Sequence, residues 1–291
     1  HPTTTTTMNI ILAQHYGMCF GVRDALKATH AAANEGPTTI LGQLVHNQVV
    51  TDQLDRLGVR RGHLRDLESA STPQVVITAH GAADRDRAAW QERGFQVTDT
   101  TCPLVKKAHT SLAKLVTQGY HPVVIGKHDH VEVLGLTGDF PEAHVIMNEA
   151  DIANLPAHAK LGVVSQTTQP TTHVAHLLSQ LNERFPKSDI RYVDTVCQPT
   201  KDRQTALREL CEQVEVVIVV GGVNSNNTHQ LVKTSQSYGV RAYRVGRASE
   251  IQDTWLENVE NVGVTAGTST LHETVQEVFQ ALRARESMAM A

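Results

Sequence analysis

Three cysteines, Cys19, Cys102 and Cys197, recur in one local setting, and that recurrence is the first sign of chemistry in the chain. The segments VTDTTCPLVKKAHTSLAKL around Cys102 and YVDTVCQPTKDRQTALREL around Cys197 share a strand pattern, an Asp-Thr pair, the cysteine and a helical pattern. NIILAQHYGMCFGVRDALKATHA around Cys19 runs strand, turn, cysteine, helix more loosely, with Gly-Met in place of Asp-Thr. A cysteine at a helix start meets unpaired N–H groups and the positive end of the helix dipole, which stabilise a thiolate. Three such thiolates make a soft ligand set that suits iron–sulfur or zinc. Three rather than four would leave one corner of a 4Fe-4S cluster open to a substrate. The plain alternative, three buried small apolar residues, does not explain one placement repeated three times. Cys211 has no such counterpart, lies inside the helix after Cys197 and is expected in the core.

Polar loops after strands supply the next set of groups. Histidines follow LGQLV, VVITA and VVIGKHD, giving His46, His80 and His130, with Glu132 two residues beyond the last. Imidazolium can neutralise and hydrogen-bond phosphate oxygens, so three histidines at comparable strand ends point to an anion pocket. The remaining histidines, His15, His109, His121, His128, His173, His229 and His272 among them, lack that recurrence and read as surface or packing residues. A second trio of loops is rich in hydroxyls and amides: SQTTQ with Thr167 and Thr168, GGVNSNNT with Ser225 and Asn227, and TAGTST with Ser269. Their glycines permit close backbone approach, and helices starting just afterwards offer N–H groups to phosphate. Each loop alone is equally readable as a helix cap. Neither G-x-x-x-x-G-K-[ST] nor G-x-G-x-x-G occurs, so neither a P-loop nor a dinucleotide site is indicated.

The elements that must hold these groups are short β-branched runs alternating with helical patterns, the signature of βα units on parallel sheets. Eleven runs read as strands: NIILAQ, TTILG, QVVITAH, FQVTDT, HPVVIG, HVIMN, LGVVSQ, IRYVDT, VEVVIVVGG, RAYRVG and VGVTAG. In such sheets ligands gather outside the carboxyl ends of strands, where the polar loops lie. The repeated cysteines stand about 90 residues apart, the size of a small α/β domain. Three domains are therefore expected: 8–101 with Cys19, 102–196 with Cys102 and 197–285 with Cys197, the strand within 8–18 being free to pack with the last. The opening HPTTTTT reads as an expression remnant ahead of Met8. Across 291 residues the formal charge is −4, which disfavours nucleic acid and anionic membrane surfaces as partners. No apolar run approaches the roughly 20 residues of a membrane span, and no secretory leader is evident, so a cytoplasmic protein acting on a small molecule is expected.

Taken together, GMCFGV, LVHN, AHG, DTTCPLVKKAH, HDHVEVLG, SQTTQ, VDTVCQPTKDRQ, GGVNSNNT and GVTAGTST resemble the 4-hydroxy-3-methylbut-2-enyl diphosphate reductases, the LytB-type enzymes that end the non-mevalonate isoprenoid pathway. The resemblance spans nearly the whole chain from Met8. It implies an α/β protein of three small domains arranged as a trefoil around one 4Fe-4S cluster, ligated by Cys19, Cys102 and Cys197. It places the diphosphate at His46, His80, His130, Thr168, Ser225, Asn226, Asn227 and Ser269, and proton handling at Glu132 and Thr167, with His130 beside them. The implied reaction is reductive dehydroxylation to isopentenyl and dimethylallyl diphosphates, with reduced ferredoxin or flavodoxin as donor.

The chain departs from the family pattern at Met18, Val131, Pro199 and Asn226, where Phe, Pro, Ala and a Ser or Gly are usual. None of these removes a proposed ligand or acid. Two other readings stand beside the reductase: a divergent relative acting on another allylic substrate, and a cluster-bearing redox sensor that binds without turnover. A zinc hydrolase fits less well, since three thiolates make a poor Lewis-acid environment and no H-E-x-x-H helix is present.

Overall fold

The structure, a computed structural model, describes residues 8–289, so the reading of residues 1–7 as an expression remnant lies outside the described residues. In chain order, β1 (Asn9–Leu12) and α1 (Phe20–Glu35) lead to β2 (Thr38–Leu41), α2 (Gln48–Arg56) and β3 (Arg60–Gly62). Then come β4 (Gln74–Ile77), α3 (Asp84–Glu92), β5 (Gln96–Asp99) and α4 (Pro103–Thr117). The middle of the chain forms β6 (His121–Ile125), α5 (Val131–Thr137), β7 (His144–Ile146), α6 (Glu149–Ala153), β8 (Lys160–Ser165), α7 (Thr171–Arg184) and β9 (Asp189–Tyr192). The last part supplies α8 (Gln198–Cys211), β10 (Val216–Val220), α9 (Asn226–Ser237), β11 (Arg241–Val245), β12 (Asn261–Ala266) and α10 (His272–Ala289).

The strands form three four-stranded sheets, ordered β1-β12-β10-β11, β3-β2-β4-β5 and β7-β6-β8-β9, and every pairing is parallel. The α/β class expected from the sequence is the class observed, and each of the eleven expected runs contains a strand. The twelfth, β3, was not legible: Arg60 and Arg61 are exposed, and the strand exists by its pairing to β2 rather than by an apolar pattern.

The chain divides into two compact units. One takes the segment ending at Phe20, Val45–Thr51 and everything from Asp202 onward, and contains the first of these sheets. In β10, Val216, Ile218 and Val220 face a core completed by Val275, Val278 and Leu282 of α10. Val217 and Val219 face the opposite side, against Leu207, Leu210 and Cys211 of α8. A strand covered on both faces explains an uninterrupted VVIVV, and each such side chain contributes about 1.5–3 kcal/mol on burial. Cys211 is a core residue here, as expected.

The other unit takes Gly21–Leu44 and Asp52–Lys201 and contains the remaining two sheets. Trp90 of α3 is fully buried against Leu41, Val75 and Ile77, and its indole N–H donates to the Leu64 carbonyl at 2.6 Å. On the third sheet, α4 and α5 cover Val124 and Val164 while α7 covers Val123, Ile125 and Val163. The two sheets of this unit are tied by Asp139, just beyond α5. Its carboxylate accepts from the backbone N–H groups of Asp84 and Arg85 at 2.7 and 3.1 Å and caps α3. Among the described residues no helix is long and apolar enough to cross a membrane.

Candidate active site

Within the two-sheet unit, backbone hydrogen bonds join the functional loops to two of the cysteines. Cys102 is the N-cap of α4, with Pro103 at the first helical position, where the missing N–H costs nothing. Its own N–H donates to the Ala79 carbonyl at 3.0 Å, which fixes it beside the loop that bears His80. Cys197 immediately precedes α8, and its N–H donates to the Thr167 carbonyl at 2.9 Å. Its Sγ lies 3.0 Å from the Thr200 hydroxyl, which is able to donate to a thiolate. Room for the Cys102 thiol depends on Gly21, where a Cβ would lie 2.6 Å from Sγ.

Glu132, in the first turn of α5, is 2% exposed, so it is no solvated surface carboxylate. Thr167 holds it twice: its N–H donates to Oε1 at 2.7 Å and its hydroxyl to Oε2 at 2.9 Å. Burial pushes the Glu132 carboxyl up to about 7, against the lowering effect of those two bonds. A carboxylic acid that titrates at neutrality is matched to proton transfer. His130 is the N-cap of α5, and its Nδ1 accepts from the Glu132 N–H at 3.1 Å. With Nδ1 used as an acceptor, the Nε2–H of His130 is left to donate. The His80 and His130 rings meet edge to face, 5.3 Å apart. Thr168 is exposed, and its hydroxyl accepts from the Gln166 amide at 3.3 Å.

The single-sheet unit gathers the remaining polar loops at the carboxyl ends of β10 and β12. Ser225 is the N-cap of α9, and its Oγ accepts from the N–H and hydroxyl of Thr228 at 3.2 and 2.9 Å. That leaves the Ser225 O–H as a donor. Asn226 is the first residue of α9 and exposed, and Asn227 accepts from the Thr268 N–H at 2.9 Å. Gly221 and Gly267 allow this packing, because a Cβ at either would overlap the Thr228 side chain. Ser269 Oγ accepts from the His46 N–H at 3.3 Å. Asn47 completes the cluster: its amide donates to the Ser269 carbonyl at 2.8 Å while its Oδ1 caps Val49 and Val50 at the start of α2. Sequence reasoning passed over Asn47, although an Asn directly before a helical pattern is a capping signal. Cys19, half-buried, immediately precedes α1 in chain order.

The family model for LytB protein matches residues 10–283, nearly the whole chain. The chain belongs to the LytB protein family. Among curated LytB relatives, the 4-hydroxy-3-methylbut-2-enyl diphosphate reductase of Pelobacter propionicus is 37% identical over 276 residues, covering 94% of this chain and 96% of the relative. The enzyme of that name from Neisseria gonorrhoeae is 38% identical over 281 residues, covering 94% and 87%. Among solved structures, the E-1-hydroxy-2-methyl-but-2-enyl-4-diphosphate reductase of Plasmodium falciparum superposes with a TM-score of 0.86 at 28% identity, covering 95% of this chain and 88% of that one. A second structure is described as (E)-4-hydroxy-3-methyl-but-2-enyl diphosphate reductase, the terminal enzyme of the non-mevalonate pathway. It gives a TM-score of 0.72 at 31% identity, covering 95% and 99%. The resemblance read from the nine ordered segments is thus the family relationship.

The residues of this LytB chain suit an iron–sulfur cluster on local grounds. None of the four cysteines is in a disulfide, and the three repeated ones are half-buried while Cys211 is buried. Gly21 leaves space around one thiol and Thr200 offers a hydroxyl to another. Hydrogen bonds and space of this kind around sulfur are what tune a thiolate-held cluster.

Proposed function

We propose that the protein is a 4-hydroxy-3-methylbut-2-enyl diphosphate reductase that removes the allylic hydroxyl as water, giving isopentenyl and dimethylallyl diphosphates. The observation that carries this reading is the buried Glu132–Thr167 pair, joined through the Thr167 carbonyl to the N–H of Cys197. Curated relatives that match over nearly the whole chain bear the same activity in their names.

Cys19, Cys102 and Cys197 would hold one 4Fe-4S cluster, which when bound supplies the two reducing electrons, delivered by reduced ferredoxin or flavodoxin. Everything else falls to the protein. His46, Ser225, Asn226, Asn227 and Ser269 offer N–H and O–H donors to the diphosphate, as do His80, His130 and Thr168, and the start of α9 adds the positive end of a helix dipole. Hydroxide is a poor leaving group, so the C–O bond needs a proton as it breaks. Glu132 holds that proton near neutrality, and the Thr167 Oγ passes it on: Thr167 gives its hydroxyl proton to the departing oxygen and takes the Glu132 proton in return. Substrate, two electrons and two protons yield product and water. The work is set in the cytoplasm, whose reducing pool keeps such thiols available to metal.

The test is anaerobic purification with iron and sulfide quantitation, followed by turnover of the allylic diphosphate by cluster-loaded protein. Product formation that competes with inorganic diphosphate supports the reading. A fully loaded cluster that binds the diphosphate without producing water and an isoprenoid diphosphate overturns it in favour of a sensor.

A further inference from the structure

Three imidazoles that the reductase chemistry does not use meet at the opposite ends of the third sheet's strands. His121 opens β6, His144 opens β7, and His158 stands two residues ahead of β8. Parallel register brings these starts together, whereas Glu132 and Thr167 follow the carboxyl ends of β6 and β8. The Nε2 of His121 lies 2.7 Å from the Nδ1 of His144. The rings of His121 and His158 stack with centroids 3.7 Å apart and planes 5° from parallel. One ring nitrogen from each of the three falls within 4.8 Å of the others. The Nε2 of His158 is buried and, among the described residues, has no hydrogen-bond partner.

An orphaned buried nitrogen costs about 1–3 kcal/mol, and clustered imidazoles repel one another once charged, so the ring stack and the single hydrogen bond are offset as plain packing. It does bring three ring nitrogens together.

We propose that His121, His144 and His158 bind a divalent transition metal of the zinc class at the amino ends of the third sheet's strands. Three neutral imidazoles with one position left for water or a carboxylate is a zinc-type ligand set, whereas magnesium and calcium require oxygen ligands. A fourth ligand has a source nearby. A cavity of about 470 Å³ opens here, lined by Tyr120, His121, Glu142, His158 and Lys160 among others, and the Glu142 carboxylate already acts electrostatically on His121. Zinc–nitrogen bonds of about 2.0–2.1 Å set ligand nitrogens roughly 3.3 Å apart in a tetrahedron, so the His121–His144 pair opens by roughly 0.6 Å on binding. A small ring rotation supplies that, while His158 turns its buried nitrogen toward the ion. Bound metal would clamp the starts of β6, β7 and β8.

The test uses cluster-loaded, full-length protein dialysed anaerobically against buffered Zn²⁺, with zinc and iron counted together and the zinc shell read by X-ray absorption. The expected shell holds only nitrogen and oxygen, near about 2.0 Å, while sulfur at about 2.3 Å would mean that cysteines took the ion. His144→Ala and His158→Ala should each weaken zinc binding by about 100-fold or more, since losing even an outer partner of a ligand costs about 10–100-fold. Iron content and turnover should stay at wild-type values in both. A sulfur-containing shell in the wild type, or unchanged zinc affinity in the two variants, overturns the proposal, and the wild-type spectrum decides even if a variant fails to fold.

Discussion

Replacing Glu132 by Gln isolates the energetic consequence of burying a carboxyl where the chain does. Its pKa stands at about 7 in the folded protein against an ordinary 4.5. At 1.36 kcal/mol per pKa unit that gap is worth roughly 3 kcal/mol. The sign follows from which state holds the proton. Below 4.5 both states are protonated and the folded protein keeps its full stability. As pH rises toward about 7 the unfolded chain ionises first, so stability falls, and above that the whole amount is gone. Gln is the shape of the protonated acid: its oxygen can accept from the Thr167 N–H and its amide can donate to the Thr167 hydroxyl, without ionising. Urea unfolding of anaerobic, equally cluster-loaded wild type and Glu132→Gln should therefore show the wild type losing roughly 2–3 kcal/mol relative to the variant between pH 5 and pH 8. Turnover of the variant should drop by about 100-fold or more with iron content unchanged. A stability difference that stays flat across that pH range would refute the buried, neutral-titrating carboxyl, and wild-type turnover would refute its role as acid.

Other perturbations probe the same framework. Thr167→Val keeps the shape and the backbone bond but removes the hydroxyl that lowers the Glu132 pKa. The carboxyl band seen by infrared difference spectroscopy should therefore titrate above its wild-type midpoint, and turnover should fall without loss of iron. Ser at Cys19, Cys102 or Cys197 should each deplete anaerobic iron content, whereas Cys211→Ser should leave it intact and cost only stability, about 1–2 kcal/mol from its core site. Gly21→Ala adds a methyl 2.6 Å from the Cys102 sulfur in a helix that otherwise prefers Ala, so iron content should fall although no ligand has changed.

Much of this was legible in the residues themselves. The βα alternation gave the parallel sheets, because runs such as VVIVV must be covered on both faces, and recurrence placed three cysteines directly before helices α1, α4 and α8. What stayed hidden depends on register and contact. Two arginines and a glycine carry no strand signal, so β3 appears only through β2. Nothing in HDHVE says that Glu132 is buried or that His130 accepts at Nδ1, because both follow from α5 packing onto the third sheet and from capping at its first turn. The histidine trio shows the limit most sharply. HP, AH and AH at three strand starts share no motif, and they converge only because β7, β6 and β8 lie side by side in parallel.

The pairing of β1 with β12 sets a schedule for biosynthesis. Asn9 and Asn261, side by side at its start, lie 252 residues apart along the chain. At about 5–20 residues per second, the ribosome delivers the second strand roughly 13–50 s after the first. Throughout that interval NIIL, just upstream of Cys19, is an apolar strand without its partner, while all of β2 to β9 can already have paired. A cell making this protein must therefore shelter NIIL until β12 has emerged, and the strand that leads to Cys19 finds its place no earlier. Chains cut short before β12 would leave that strand permanently exposed, a ready substrate for aggregation or proteolysis.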